Sequence, residues 1–246
     1  MTTPHQNLDA ASLERIVPDQ LRSGEATGSE TLRLHLERYN FACENLIPGS
    51  ALDIACGVGY GTVLLGQNRV ITRAVGVDIS PSAIEYASNR YSINTVSFVC
   101  SSAKEFKSAV LFDNVVSLET IEHVDDPWEV FSHFVSLLKP GGRLIASVPV
   151  TPSVDANPHH KTNFSPRTFR KMGAEHSLQY VNSMQQVQRF DPLAIATRKE
   201  QRSSSLRQNL PLFYLHNPSH LVLRLWSTLR DGFANKYMTV VWQRQE

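Results

Sequence analysis

The chain has 246 residues, enough for one α/β domain with a sizeable core and too few for two full ones. Its 41% hydrophobic and 19% charged content is that of an ordinary soluble globule. Lys and Arg number 24 against 23 Asp and Glu, a net charge of +1, so no global field draws a polyanion and nothing in the composition asks for nucleic acid.

Residues up to about Ser29 are polar with two glycines, which predicts a mobile arm or lid over about 1–30. A helix is expected from Thr31, with Leu32, Leu36, Tyr39, Cys43 and Leu46 on one face at steps of three and four. Pro48-Gly49 ends it, and Ala51 to Ile54 reads as a first strand. Ala74 to Val77 is a second. Ser80-Pro81 supplies an N-cap and a first-turn proline for a helix through Ile84 and Ala87. Val96 to Cys100 and Asn114 to Leu118 are the third and fourth strands. Pro127 opens a helix with Phe131, Phe134 and Leu138 inward, and the turn Lys139-Pro140-Gly141-Gly142 leads to a fifth strand, Arg143 to Val148. Beyond Val150 a loop rich in proline and histidine precedes a helix from Ser165-Pro166 and a strand near Leu178 to Val187. A polar stretch near Arg198 to Gln208, an apolar one near Leu210 to Leu229 and a final edge strand, Tyr237 to Trp242, complete the chain. Strands alternating with helices at this spacing predict a doubly wound, mostly parallel α/β sheet. With no internal repeat, 1–246 reads as a single domain with an insertion at about 191–232 before the last strand. That insertion, with Phe213, Tyr214, His216, His220 and Trp226, is expected to shape a pocket or a homodimer contact.

Two motifs carry the chemistry. Ala51-Leu52-Asp53-Ile54-Ala55-Cys56-Gly57-Val58-Gly59-Tyr60-Gly61 is a strand running into a glycine loop, and Val75-Gly76-Val77-Asp78-Ile79-Ser80 is a second strand ending in an acid. This is how an open α/β sheet binds a nucleoside. The spacing is G-x-G-x-G rather than the G-x-G-x-x-G of pyrophosphate loops, and Asp53 stands just before it. A carboxylate there repels a diphosphate, as in NAD, and suits a ligand with a cationic amino-acid end.

The stretch resembles the first motif of class I methyltransferases that use S-adenosylmethionine (SAM), and the resemblance extends in ordered motifs over roughly residues 31 to 150. It implies a Rossmann-like seven-stranded sheet with the last strand antiparallel, and SAM as cofactor. On that resemblance Ala55 and Gly57 line the methionine part, with Cys56 a small buried residue beneath it, and Gly59 and Gly61 allow the turn into the helix. Asp78 takes both ribose hydroxyls, Ile79 packs on the adenine, Leu118 lies beneath the sulfonium and Arg38 pairs with the SAM carboxylate. One departure stands out: many relatives carry Asp-Ala after the third strand, where this chain has Ser101-Ser102-Ala103. Ser102 offers the adenine one uncharged acceptor.

Glu119-Thr120-Ile121-Glu122-His123 follows the fourth strand directly, at the sheet edge where chemistry takes place. Two carboxylates and an imidazole converging there suit a divalent cation. With the downstream His160-Lys161-Thr162-Asn163-Phe164-Ser165, the pattern resembles the small-RNA 2′-O-methyltransferases, and its first half resembles the ubiquinone-pathway O-methyltransferases. That resemblance implies Mg²⁺ or Mn²⁺ on Glu119, Glu122, His123 and His160, with His123 and Glu119 catalytic. The same turn also fits a metal-free reading, in which the acid caps a helix and His123 touches the acceptor. The first expectation is an O-methyltransferase of a sugar or another small hydroxylated metabolite. RNA 2′-O-methylation, N- or C-methylation and a non-enzymatic SAM-binding subunit are the alternatives. Cys43, Cys56 and Cys100 are odd in number and far apart, as reduced thiols are. No apolar run reaches membrane-spanning length and the N-terminus lacks a basic-then-apolar signal, so a cytoplasmic location without membrane contact is expected.

Overall fold

The computed structural model describes residues 16–20, 26–91, 93–189 and 207–245. Helix α1 (Ala26–Glu44) precedes β1 (Gly49–Ile54), α2 (Tyr60–Gly66), β2 (Ile71–Asp78), α3 (Pro81–Arg90) and β3 (Val96–Cys100). Then come β4 (Phe112–Leu118), a 3₁₀ turn at Ile121–His123, α4 (Pro127–Ser136) and β5 (Leu138–Pro149). The last part holds α5 (Pro166–Glu175), β6 (Leu178–Arg189), α6 (Leu210–His216), α7 (Pro218–Asp231) and β7 (Ala234–Arg244). The strands form one sheet of seven in the order β3-β2-β1-β4-β5-β7-β6. The first five pair in parallel, and β7 is antiparallel to both β5 and β6.

The central strands are apolar on both faces because helices cover both. Leu52, Val115, Leu144 and Ala146 enter one core with Phe131 and Phe134 of α4 and Phe169 of α5. Their neighbours in sequence, Ala51, Val116 and Ile145, enter the other with Tyr39 and Ala42 of α1 and Leu65 of α2. Period-two alternation sends successive side chains to the two faces, and parallel pairing of β1 to β5 puts their carboxyl ends on the same edge of the sheet. Local caps start the helices where the sequence puts them. Ser80 accepts the Ala83 N–H at 3.3 Å, Asp126 the Glu129 N–H at 2.9 Å and Ser165 the Thr168 N–H at 3.1 Å.

Several expectations are corrected. The final strand is not at the edge: β7 lies between β5 and β6, and β6 forms the border. An apolar, fully buried Val240-Val241-Trp242 needs partners on both sides, whereas β6 is exposed over much of its length. Helix α1 begins at Ala26, inside the stretch expected to be an arm, and its most buried side chains are Leu34, Arg38, Tyr39 and Ala42 rather than Leu32, Leu36 and Cys43. Arg38 lies inward on this stripe, bonded to Gln186. Leu138 belongs to β5, whose pairing with β4 jumps from Phe112↔Leu138 to Asn114↔Arg143, so Lys139-Pro140-Gly141-Gly142 bulges out within the strand. Of the expected arm, Ile16 and Val17 are buried, and Val17 packs with Val58 of the glycine loop and Ala83 of α3. Most of the polar stretch near Arg198 lies outside the described residues. Among the described residues no helix is long and apolar enough to cross a membrane.

Candidate active site

Strand β1 ends in a brace beneath the glycine loop. Asp53 is 1% exposed, and its carboxylate accepts the Thr62 hydroxyl at 2.7 Å and the Tyr39 phenol at 3.2 Å. Burial pushes its pKa up to about 7, against the lowering effect of those two hydrogen bonds. The group expected to face a cationic ligand end is therefore shared by two protein hydroxyls and holds α1 and α2 to the strand. Tyr39 in turn lies over Gly61, where a Cβ would stand 1.9 Å from its ring.

Above the brace the loop turns through positive φ at Ala55 (61°), Gly57 (58°) and Gly59 (85°). Gly59 starts α2, and a Cβ there would meet Phe98 and Ala87 at 2.6 and 2.7 Å, so both conformation and space require glycine. Over Gly57 a Cβ would meet nothing within 4 Å, which leaves open room above the loop. Cys56 is buried, and burial followed by the charges of Asp53 and Asp78 holds its thiol well above the usual range, against a nucleophilic role.

Asp78 closes the loop at the end of β2. One carboxylate oxygen accepts the Gly57 N–H and the other the Ser80 N–H, both at 2.9 Å. Ile79 beside it is 70% exposed, an apolar side chain open at the carboxyl edge of the sheet. Ser102, expected to serve an adenine, is engaged locally: it accepts the Glu105 N–H at 3.1 Å and contacts the Glu105 carboxylate at 2.9 Å. Ala103 packs on the main core.

Arg38 is 1% exposed, with Nε donating to Gln186 Oε1 at 2.8 Å and its guanidinium 4.4 Å above the Tyr237 ring. Its Nη1 is buried and has no hydrogen-bond partner among the described residues. A buried guanidinium with an unsatisfied donor asks for an anionic oxygen. With the open room over Gly57, the acid at Asp78 and the exposed Ile79, these residues fit SAM.

The other half of the site starts where β4 ends. Leu118 is half-buried, and Glu119 adopts φ 53°, so strained backbone terminates β4 as it does β1 at Ala55. Glu119 donates its N–H to the Ser147 carbonyl and Oγ, and its carboxylate accepts the Ser147 hydroxyl at 2.7 Å. Glu122 is fully buried in the 3₁₀ turn, and its carbonyl accepts the N–H groups of Lys161 and Thr162 at 2.8 and 3.2 Å. Those two bonds bring the histidine loop to the turn. His123 Nε2 lies 3.9 Å from the Glu122 carboxylate, and its ring meets that of His160 edge-on at 4.6 Å. His160 Nδ1 pairs with Ser153 Oγ at 2.7 Å, and the His159 carbonyl, not its ring, contacts His123.

Ligand atoms of Glu122, His123 and His160 all lie within 4.8 Å of one another. The structure thus joins three of the four expected metal ligands. Glu119 is not in this group, because its left-handed backbone turns the carboxylate onto Ser147. The remaining donor set, two imidazoles and one carboxylate, fits Mn²⁺ or a similar transition ion better than Mg²⁺.

Sequence reasoning missed two contributors. Tyr237 on β7 bonds Gln188 Oε1 at 2.8 Å, and its hydroxyl is pushed up to about 12, chiefly by burial, with Arg38 opposing and Glu119 and Glu122 adding to the rise. Asp155, 1% exposed, is clamped by Arg224 at 2.7 and 2.6 Å and by the Tyr214 hydroxyl at 2.6 Å. Burial would raise its pKa, but these partners bring it below the usual range. The signal for Tyr237 was the pair Gln186 and Gln188, two buried amides two apart on the facing strand. Nothing local marked Asp155.

Comparison with known proteins agrees with this geometry. Residues 52–146 match the methyltransferase domain family. Phosphoethanolamine N-methyltransferase 1 of Zea mays is 32% identical over 130 residues, 49% of this chain and 24% of that protein. Ubiquinone biosynthesis O-methyltransferase of Coxiella burnetii is 34% identical over 100 residues, 39% of this chain and 42% of that protein. The chain thus spans less than half the length of these relatives. The N-methyltransferase NodS of Bradyrhizobium japonicum, solved with S-adenosyl-L-homocysteine, superposes with a TM-score of 0.58 at 17% identity, over 91% of this chain and 90% of that one. Over residues 52–146 the chain is thus similar to the methyltransferase domain family, and its sheet shares the fold of the NodS structure.

Proposed function

We propose that the chain transfers the methyl group of SAM to a hydroxyl of a sugar or another small hydroxylated metabolite. The observation that carries this reading is the meeting of Glu122, His123 and His160 beside the end of β4. SAM, when bound, supplies an electrophilic methyl group, so the protein's work is to place an oxygen and remove its proton. Arg38 holds the carboxylate of SAM, Asp78 its ribose hydroxyls, and Ile79 its adenine. His123, whose side chain is 24% exposed, is the imidazole within reach of an acceptor, and the buried Glu122 carboxylate lies 3.9 Å from its Nε2. A divalent ion on Glu122, His123 and His160 would supply a Lewis acid for the acceptor oxygen. With that ion His123 is a ligand; without it His123 is the base.

Methyl transfer from labelled SAM to a panel of sugars, phenols and amines, with and without EDTA, tests the reading. Transfer to hydroxyls is expected, lost on chelation and restored by Mn²⁺, with Mn²⁺ binding weakened at least tenfold in Glu122→Gln. Transfer confined to amines would overturn the oxygen assignment in favour of N-methylation, the reaction named in the maize relative. Full activity in excess EDTA would leave His123 as a metal-free base. The net charge of +1 disfavours an RNA acceptor, and tight RNA binding with a steep salt slope would reverse that reading.

A further inference from the structure

Helix α7 is inside out. Its inward face carries His220, Arg224 and Ser227, with Arg224 clamped to Asp155 and Ser227 buried. The outward face carries Leu221, Val222, Leu225, Trp226 and Leu229, all exposed, with Trp226 at 67% and Leu229 at 84%. Helix α6, joined to α7 by the edge-on contact of Phe213 and His220 at 5.4 Å, adds exposed Leu212 and Leu215, and Phe233 follows the turn after α7. A surface helix normally turns its apolar stripe to the core; here the polar stripe is inside.

The exposed fractions of these eight side chains add up to about five whole ones. Six of the eight are Leu or Val, near the lower end of the roughly 150–250 Å² of an aromatic side chain, so the apolar surface is on the order of 800 Å². The largest patch on a typical monomer is about 300–600 Å². A standard interface takes about 800 Å² from each partner. The area is therefore what one half of a stable dimer needs.

We propose that this face is the interface with a second copy of the chain, α7 packing on its counterpart about a two-fold axis. Leu221, Leu225 and Leu229 form one row at steps of four and Val222 and Trp226 the next, ridges that fit the grooves of an identical helix. Such a contact must be self-complementary, and an apolar face meeting itself is. At the border of the face Arg230 and Lys236 both pair with Asp231, at 2.8 and 2.6 Å, so these cations do not form the free basic rim that an anionic lipid surface engages. Because the opposite side of α7 clamps Asp155, pairing would also brace the loop that carries Ser153 and His160.

Sedimentation of the wild-type chain, Leu225→Glu and Trp226→Glu over a wide concentration range decides the matter. Wild type is expected at twice the 27.6 kDa chain mass, and each variant at 27.6 kDa with unchanged circular dichroism and SAM binding. Hydrogen exchange of wild-type residues 218–231 should slow as concentration rises, a readout that needs no substitution. A monomeric wild type would overturn the proposal, including one that pellets with phosphatidylcholine–phosphatidylglycerol vesicles. So would a dimer that survives both substitutions.

Discussion

Asp53→Asn is expected to stabilise the chain at neutral and alkaline pH. The carboxylate titrates near 7 in the fold and near its ordinary value of 3.8 once unfolded. Between those values the folded chain holds a proton that the unfolded chain has lost. The resulting stabilisation is complete below about pH 4 and disappears as pH rises through about 7. Above that, keeping the charge buried costs about 4 kcal/mol relative to an unshifted group, from about three units at 1.36 kcal/mol each. Asparagine preserves the shape and can still accept from Thr62, whose hydroxyl donates at 2.7 Å, while the Tyr39 hydroxyl can accept from the new amide. Urea unfolding of both proteins at pH 5.5 and 8.5 isolates the residue, because other titrations cancel in the difference. The variant's advantage should grow by about 2 kcal/mol over that interval. A difference that does not change with pH would show that Asp53 titrates in the ordinary range and would refute the reasoning. The same substitution removes a negative charge beneath the loop that fits SAM, so weaker SAM binding is expected to accompany the gain, the usual exchange of stability against function.

Asp78→Ala should weaken SAM binding at least tenfold by calorimetry, since losing charge-assisted hydrogen bonds costs roughly 2–4 kcal/mol; unchanged affinity would remove Asp78 from the site. Gly61→Ala places a Cβ 1.9 Å from the Tyr39 ring and should lower stability in urea by about 1–3 kcal/mol, an effect absent if Tyr39 can move aside. Arg224→Met leaves the buried Asp155 carboxylate with the Tyr214 hydroxyl and the Ala156 N–H but no countercharge, a cost of about 3 kcal/mol that Asp155→Asn in the same background should partly recover. Additive effects of the two substitutions would mean that the clamp carries no coupling.

What could be read from the sequence follows the range of the interaction. Ser80, Asp126 and Ser165 act on N–H groups three residues away, and all three helix starts were visible, from the Ser80 cap and from the prolines Pro127 and Pro166. The glycine loop and Asp78 also stand out, because strand, loop and acid follow one another within β1–α2–β2. The place of β7 did not, since strand order is decided by which edges find partners after the chain has folded. Glu119 was expected to be a ligand from its spacing to Glu122. Its actual partner, Ser147, is 28 residues away on β5 and becomes a neighbour only through the pairing of β4 with β5. Arg38 was picked out by the resemblance, but Gln186 lies 148 residues away, so the burial of Arg38 against β6, off the face expected to be apolar, had no local signature.

This difference in range divides the site in two. Brace, loop and ribose acid come from consecutive βα units, where a short motif can carry the whole arrangement, and the matched segment ends at residue 146, before the histidine loop begins. The acceptor side proposed above would be assembled from the 119–123 turn, the loop through Ser153 and His160, β7 with Tyr237, and α7 through Arg224. No segment of it is sufficient alone, and its parts meet through backbone bonds to Glu122 and a salt bridge to Asp155. A motif can therefore specify that a methyl group is delivered, while the receiver is set by contacts spread over more than a hundred residues. Substitutions at Arg224 or Asp155 should accordingly change acceptor handling and leave SAM affinity nearly intact, whereas Asp78→Ala should do the reverse.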